Sequence, residues 1–298
     1  MKNGFLRLAL SSCILVISCS ENSKSSTSTS NVEGKNIREN SNSSTKENLV
    51  ITSENTIKSR FSVPKGFRWI ESKPHSYGDF IENFKLEPYG TQILKYDGNP
   101  ISTQHLHEGI LDIDIGTSDL QQCADAIMRL RAEYLWKAKK ENEIQFHFTS
   151  GDLMTWTAYK NGIRPIVNGN KVTMRQQANL DGSYENFRKY LDLIFTYSGT
   201  ISLNRETHPI TKNEDLKTGD ILNTPGSPGH VVFIAGVCEN EKGERFYLLG
   251  EGFTPAQSIH ILKNPWRSSQ SPWYSLDVSA SETKTARYLF KPTNFRRF

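Results

Sequence analysis

The sequence predicts an α+β fold, with a helical section that carries a cysteine followed by an antiparallel sheet. Three observations support this. Leu120, Cys123, Ala124, Ile127, Leu130 and Tyr134 recur at steps of three and four, the spacing of one buried helix face. The last third breaks instead into short apolar runs at 220–222, 230–237, 245–249 and 258–262, separated by Gly, Pro and Asn, the pattern of strands joined by turns. Helices first and strands afterwards is the α+β order, not the alternation of a parallel doubly wound sheet.

The chain begins with an address. Lys2 and Arg7 flank the start of an apolar run at 8–17, too short for a permanent span of ~20 residues but suited to a secretory signal. Val16-Ile17-Ser18-Cys19 resembles a bacterial lipobox, in which the cysteine is acylated and becomes the new N-terminus. The alternative is an ordinary signal peptide that contains a cysteine. The lipobox reading predicts a signal peptide at 1–18, lipidation at Cys19, and anchoring to a bacterial envelope membrane, at the outer membrane or periplasmic face. Residues 20–48 hold 18 Ser, Thr or Asn among 29, with only Val32 and Ile37 as aliphatics. Such a stretch cannot bury enough apolar surface to order itself, so 19–50 is expected to be a disordered tether. Residues 51–298 then form a single globular domain, long enough for a good core. The net charge is +4, and Lys2 and Arg7 supply two of those charges. The near-neutral body has no electrostatic footprint for nucleic acid.

Within the body, 60–63 reads as a strand, about 79–85 as a short helix, and 91–96 as a strand that ends at the turn Asp97-Gly98. Ile113 and Ile115 alternate with Asp112 and Asp114, which extends a half-buried strand over 105–115. Ser118-Asp119-Leu120-Gln121 has capping-box spacing and predicts a helix behind it to about Lys140. Ile144, Phe146 and Phe148 alternate as a strand, and Ser150 is placed to cap a short helix ending at Gly162. A longer helix over 183–197 would bury Phe187, Tyr190, Leu191 and Ile194. Asn240-Glu241-Lys242-Gly243 reads as a hairpin tip.

Four cysteines reduce to two once Cys13 leaves with the signal and Cys19 carries lipid. Cys123 and Cys238 either pair as a disulfide in an oxidising compartment or stay free, with Cys123 the more reactive. Cys123 near a helix start and His230 at the head of an apolar strand make the strongest constellation. A thiol nucleophile needs a lowered pKa, which a helix N-terminus and a neighbouring imidazole can supply. The other reading of Cys123 is a small buried residue on the apolar face. Glu251 is the first candidate to orient the imidazole and Gln257 the second; an exposed turn position explains Glu251 equally well. Gln121 or Gln122 could donate to an oxyanion or simply be polar residues of the first turn. His105 and His107 with Asp112 or Asp114 form a weaker metal candidate. There is no His-Glu-x-x-His motif, nucleophile elbow or phosphate-cradling loop, so neither metal nor cofactor is expected. Trp266, Trp273 and Tyr274 suit either sugar stacking or the core.

The run from Leu216 to Gly236, with Gly219-Asp220 and then Pro228-Gly229-His230-Val231-Val232-Phe233-Ile234-Ala235-Gly236, resembles the histidine segment of NlpC/P60-type papain-like cysteine peptidases. Their superfamily includes peptidoglycan hydrolases, and its nucleophile sits near the start of an upstream helix, which Cys123 matches. With Ser118 as the cap, Cys123 would fall in the second helical turn rather than the first, and the Asp-Cys-Ser-Gly pattern typical of NlpC/P60 enzymes is absent. Over about 60–298 the chain also resembles the bacterial family called domain of unknown function 4846. The segments that carry this are Asp119-Leu120-Gln121-Gln122-Cys123-Ala124-Asp125, Arg129-Leu130-Arg131-Ala132-Glu133-Tyr134-Leu135 and Pro255-Ala256-Gln257. Together the resemblances imply a lipid-anchored envelope hydrolase of papain-like arrangement, acting on an amide bond in peptidoglycan or an envelope peptide. The alternative is a non-catalytic envelope lipoprotein that binds glycan, peptide or a protein partner.

Overall fold

A computed structural model describes residues 47–291 and 294–298. The expected signal peptide, Cys19 and nearly all of the expected tether lie outside the described residues. Packed structure begins at Leu49, which is buried and accepts a hydrogen bond from Ser62 N (3.0 Å), while Val50 bridges Phe61. That is two residues before the boundary expected at 50/51.

The strand expected at 60–63 is instead the end of α1 (Ile57–Arg60), capped by Thr56, plus the single bridge at Phe61. β1 (Phe67–Trp69) follows, then α2 (Tyr77–Glu82), which starts earlier than expected because Ser76 caps it. Residues 91–96 make only isolated bridges, Leu94 to Pro100 and Lys95 to Gln257, around the expected turn, where Gly98 takes φ +78°. β2 (His107–Ile110) is shorter than the alternating pattern suggested.

α3 (Cys123–Lys137) precedes a hairpin of β3 (Gln145–His147) and β4 (Leu153–Thr155). α4 (Trp156–Lys160) is capped by Thr155, which accepts from Ala158 N at 3.0 Å. Ser150 is not the cap: 153–155 are paired as a strand, so no helix can begin until the chain leaves it. A second hairpin, β5 (Ile163–Asn168) with β6 (Lys171–Gln176), leads to α5 (Tyr184–Tyr197). Ser183 caps α5, and Phe187, Tyr190, Leu191 and Ile194 are all fully buried, as the periodicity predicts. α6 (Thr200–Glu206) closes the helical section.

The remaining strands are β7 (His208–Pro209), β8 (Ile221–Thr224), β9 (His230–Asn240), β10 (Arg245–Glu251), β11 (His260–Leu262), β12 (Thr283–Lys284), β13 (Leu289–Phe290) and β14 (Phe295–Arg297). The main sheet runs β2-β11-β10-β9-β8-β14-β7, with β1 also pairing β9, and its pairings are antiparallel. The fold is therefore α+β. β9 is apolar on both faces because both are covered. Val231, Phe233 and Ala235 join the core that holds α3 and α5, while Val232, Ile234 and Val237 join a second core under the C-terminal segment. The register shifts between Leu248 and Leu249, leaving Ala235 as the extra residue of a bulge in the middle of β9. Buried Asp220 receives two bonds from Arg297, at 2.6 and 2.7 Å, and ties β14 to the start of β8. Among the described residues no helix is long and apolar enough to cross a membrane.

Candidate active site

Cys123 is the first residue of α3, not a member of its second turn. Residues 118–122 pass through two tight turns, with Leu120 N bonded to Ser118 O (2.8 Å) and Gln122 N to Leu120 O (2.7 Å). Gln122 then takes the extended N-cap conformation, and Asp125 at the third helical position accepts its N–H (3.1 Å). The capping spacing at Ser118-Gln121 is thus spent in a turn, and the helix starts where Asp125 can reach back. The shift moves the thiol to the electropositive end of the helix.

The start of α3 is latched to the segment after β10. Asp119 accepts from Ala256 N (2.7 Å) and from Gln122 Nε2 (3.0 Å), and Gln122 Oε1 accepts from Thr254 Oγ1 (3.0 Å). Both ends of the Gln122 amide are therefore engaged at rest. Gly252 makes the close approach possible. A Cβ there would lie 2.9 Å from Gln122 O and 2.7 Å from Ala126 Cβ.

Cys123 and His230 line one cavity of about 680 Å³, together with Gly199, Thr200, Phe253 and Tyr288. Gly229 lets the chain pass close to α6 just before the histidine, since a Cβ on it would sit 2.3 Å from Thr200 Oγ1. The imidazole is walled by Phe253, Tyr288 and Phe290, with ring centroids at 5.0, 4.8 and 5.8 Å. Its Nε2 lies 2.8 Å from Glu251 Oε2, which leaves Nδ1 as the free nitrogen.

Glu251 is fully buried at the end of β10. Burial alone would raise its pKa, but the hydrogen bond from His230, the approach of His260 and the charges of both outweigh that and hold it at about 2. The Cys123 thiol is pushed up to about 11, first by burial and then by the negative charges of Asp125 and Glu251. N–H groups of Ala124 and Val231 oppose that rise. Burial also keeps the Asp125 carboxyl well above its usual range.

The other expected residues fall elsewhere. Gln257 is buried and donates to Pro255 O (3.3 Å). Gln121 is buried and accepts from Arg129 Nη1 (3.0 Å). His105 sits on a 3-10 turn, and Asp114 pairs with Arg129 and Arg188. Among the described residues no group of three or more His, Cys, Asp or Glu is placed to hold a metal. Trp273 and Tyr274 are core residues. Trp266 is half exposed, but Lys284 covers its ring and its Nε1 donates to Thr285 O (2.9 Å). Cys123 and Cys238 are both free. Two neighbours of Glu251 have no signal in the sequence pattern: His260, with Nε2 3.5 Å from Oε1, and Arg287, with Nη1 3.7 Å from it.

Fold and site together describe an α+β protein in which a helix-start thiol, an imidazole and a buried carboxylate meet at one cleft. The chain belongs to the family named domain of unknown function (4846), whose model matches residues 57–297. No curated protein and no solved structure matches it.

Proposed function

We propose that this protein is a lipid-anchored cell-envelope hydrolase of papain-like type that cleaves an amide bond in peptidoglycan or an envelope peptide. One observation carries the reading. A thiol at the first position of a helix and an imidazole with a carboxylate on its far nitrogen line the same cavity. With Nε2 bound to Glu251, Nδ1 is the nitrogen that takes the thiol proton, and the thiolate so formed attacks the substrate carbonyl. Glu251 orients the imidazole and stabilises the imidazolium. The imidazolium then protonates the leaving amine, and water, its proton taken by the imidazole, hydrolyses the C–S bond of the thioester to release the acid and restore the thiol. The high proton affinity of the resting thiol makes activation depend on transfer to His230 rather than on a standing thiolate.

That same high value favours a second reading, a cleft that binds glycan or peptide without cutting it, since a buried protonated thiol is inert. Mass spectrometry of cell-wall fragments incubated with wild type and with Cys123→Ser separates the two. New amide-cleavage products that vanish in the variant support hydrolysis, and identical fragment patterns support binding alone.

Envelope anchoring rests on Val16-Ile17-Ser18-Cys19 and the polar segment behind it. Cys19→Ala is expected to release the protein from the membrane fraction or leave the signal uncut. Normal processing and retention would overturn it.

A further inference from the structure

The turn between β12 and β13 reaches over the imidazole. Thr285 N donates to Tyr288 O (2.9 Å), Tyr288 N donates to Thr285 Oγ1 (3.2 Å), and Trp266 holds the turn through Thr285 O. This tight frame points Arg287 inward, with its side chain only 12% exposed. The guanidinium stacks on Phe253, 3.9 Å from the ring centroid, and Phe253 in turn meets His230 edge-on. Nη1 lies 3.7 Å from Glu251 Oε1 and 3.5 Å from His260 Nε2. His260 Nδ1 faces Ser258 O at 2.8 Å. A carbonyl only accepts, so Nδ1 carries a proton, while Nε2 faces both Arg287 Nη1 and Glu251 Oε1 at 3.5 Å. Glu251 Oε1 has no full hydrogen bond of its own. An arginine stays charged whatever the neighbouring imidazoles do.

Resting on the Cys123–His230–Glu251 reading, we propose that Arg287 is a positioning residue that acts through Glu251. Its permanent charge lies beside the second carboxylate oxygen, so Glu251 can orient His230 without locking it as an ion-pair partner. The base is thereby left ready to take the thiol proton: S–H breaks, Nδ1–H forms, and thiolate and imidazolium result. Glu251 is faced by His230 from β9, His260 from β11, Arg287, Tyr274 and the Cys123 thiol from α3. His107 on β2 and Asp125 on α3 lie one group further out.

The test is the titration of His230 followed by NMR in carbon-13-histidine protein, with His230→Gln to assign the signal. Removing the cation with Arg287→Met should move the His230 midpoint up by about one pH unit, because a charge that disfavours the imidazolium is gone. Arg287→Lys keeps the charge and should stay near wild type. Should Arg287→Met fail to fold, Arg287→Gln removes the charge, keeps a donor, and reads the same upward move. The pH profile of iodoacetamide alkylation at Cys123 should move in the same direction. An unmoved midpoint in the neutral variants, or a Lys variant that moves as far as Met, overturns the proposal. If wild-type alkylation is indifferent to His230→Gln, the thiol–imidazole reading falls, while the NMR midpoint still decides the part played by Arg287.

Discussion

Cys123 and Cys238 carry the same group, both are free, and burial pushes both thiols up, to about 11 and about 12. They differ in their neighbours. Cys238 lies near the far end of β9, between Trp69 on β1 and Phe246 on β10 in register, and is fully buried. Cys123 stands at a helix start, on a cavity that also exposes His230, with Glu251 behind the imidazole. The contrast teaches that thiol burial by itself says little about chemistry. What separates a packing cysteine from a candidate nucleophile is an available base and room for a substrate.

The comparison breaks most sharply in turnover. Cys123→Ser and His230→Ala should each lower any cleavage by at least about 10³-fold, and Glu251→Ala by less, whereas Cys238→Ala should leave it near wild type. Rate measurements on one cell-wall substrate check all four. Gln257→Ala outranking Glu251→Ala would reassign the orienting group.

Acid separates the two environments next. Glu251 titrates at about 2 in the fold against 4.5 ordinarily, so the folded state binds fewer protons between those values. Its stabilisation, about 3 kcal/mol, is present above about pH 4.5 and is lost as pH falls toward 2. Urea midpoints across that window should drop for wild type and flatten in Glu251→Gln. Base does not separate them: each thiol is raised from 9.0, so its stabilisation is present below pH 9 and fades as pH rises through 11 or 12.

The smallest effect lies in the thiols' packing. Cys238→Ser places a hydroxyl among hydrocarbon and should cost about 1–3 kcal/mol by urea unfolding. At Cys123 the hydroxyl borders a cavity, and the cost should be below about 1 kcal/mol. Equal losses would mean that the two sites are equally dry.

How much of this was legible depended on how local each feature is. The 183–197 helix is legible because four apolar residues at helical spacing all face one core. The tip at 240–243 followed from Asn and Gly, and Gly243 takes φ +78°. The alternation of Ile144, Phe146 and Phe148 likewise marks a buried face. The α3 start is masked because Ser118 and Gln121 have the capping spacing but a turn backbone, while Gln122 and Asp125 make the actual cap. The β5–β6 hairpin had a cue in Asn168-Gly169-Asn170, a turn sequence that went unused. Glu251 could be named from its place after an apolar run. Its contacts with His260 and Arg287 cross three strands and a turn, and no spacing in the chain encodes them.

The latch between Asp119 and Ala256, with its companion between Gln122 and Thr254, spans 137 and 132 residues. Such distant partners meet only after the intervening chain has closed a very long loop, which places them late in folding. During synthesis the thiol therefore emerges well before the strands that bring its imidazole, its carboxylate and the far half of the latch. An unfinished chain carries the sulfur alone, and assembling the last third completes the candidate cleft. The topology thus sets an order of assembly, in which the sulfur is placed before the groups that come to surround it.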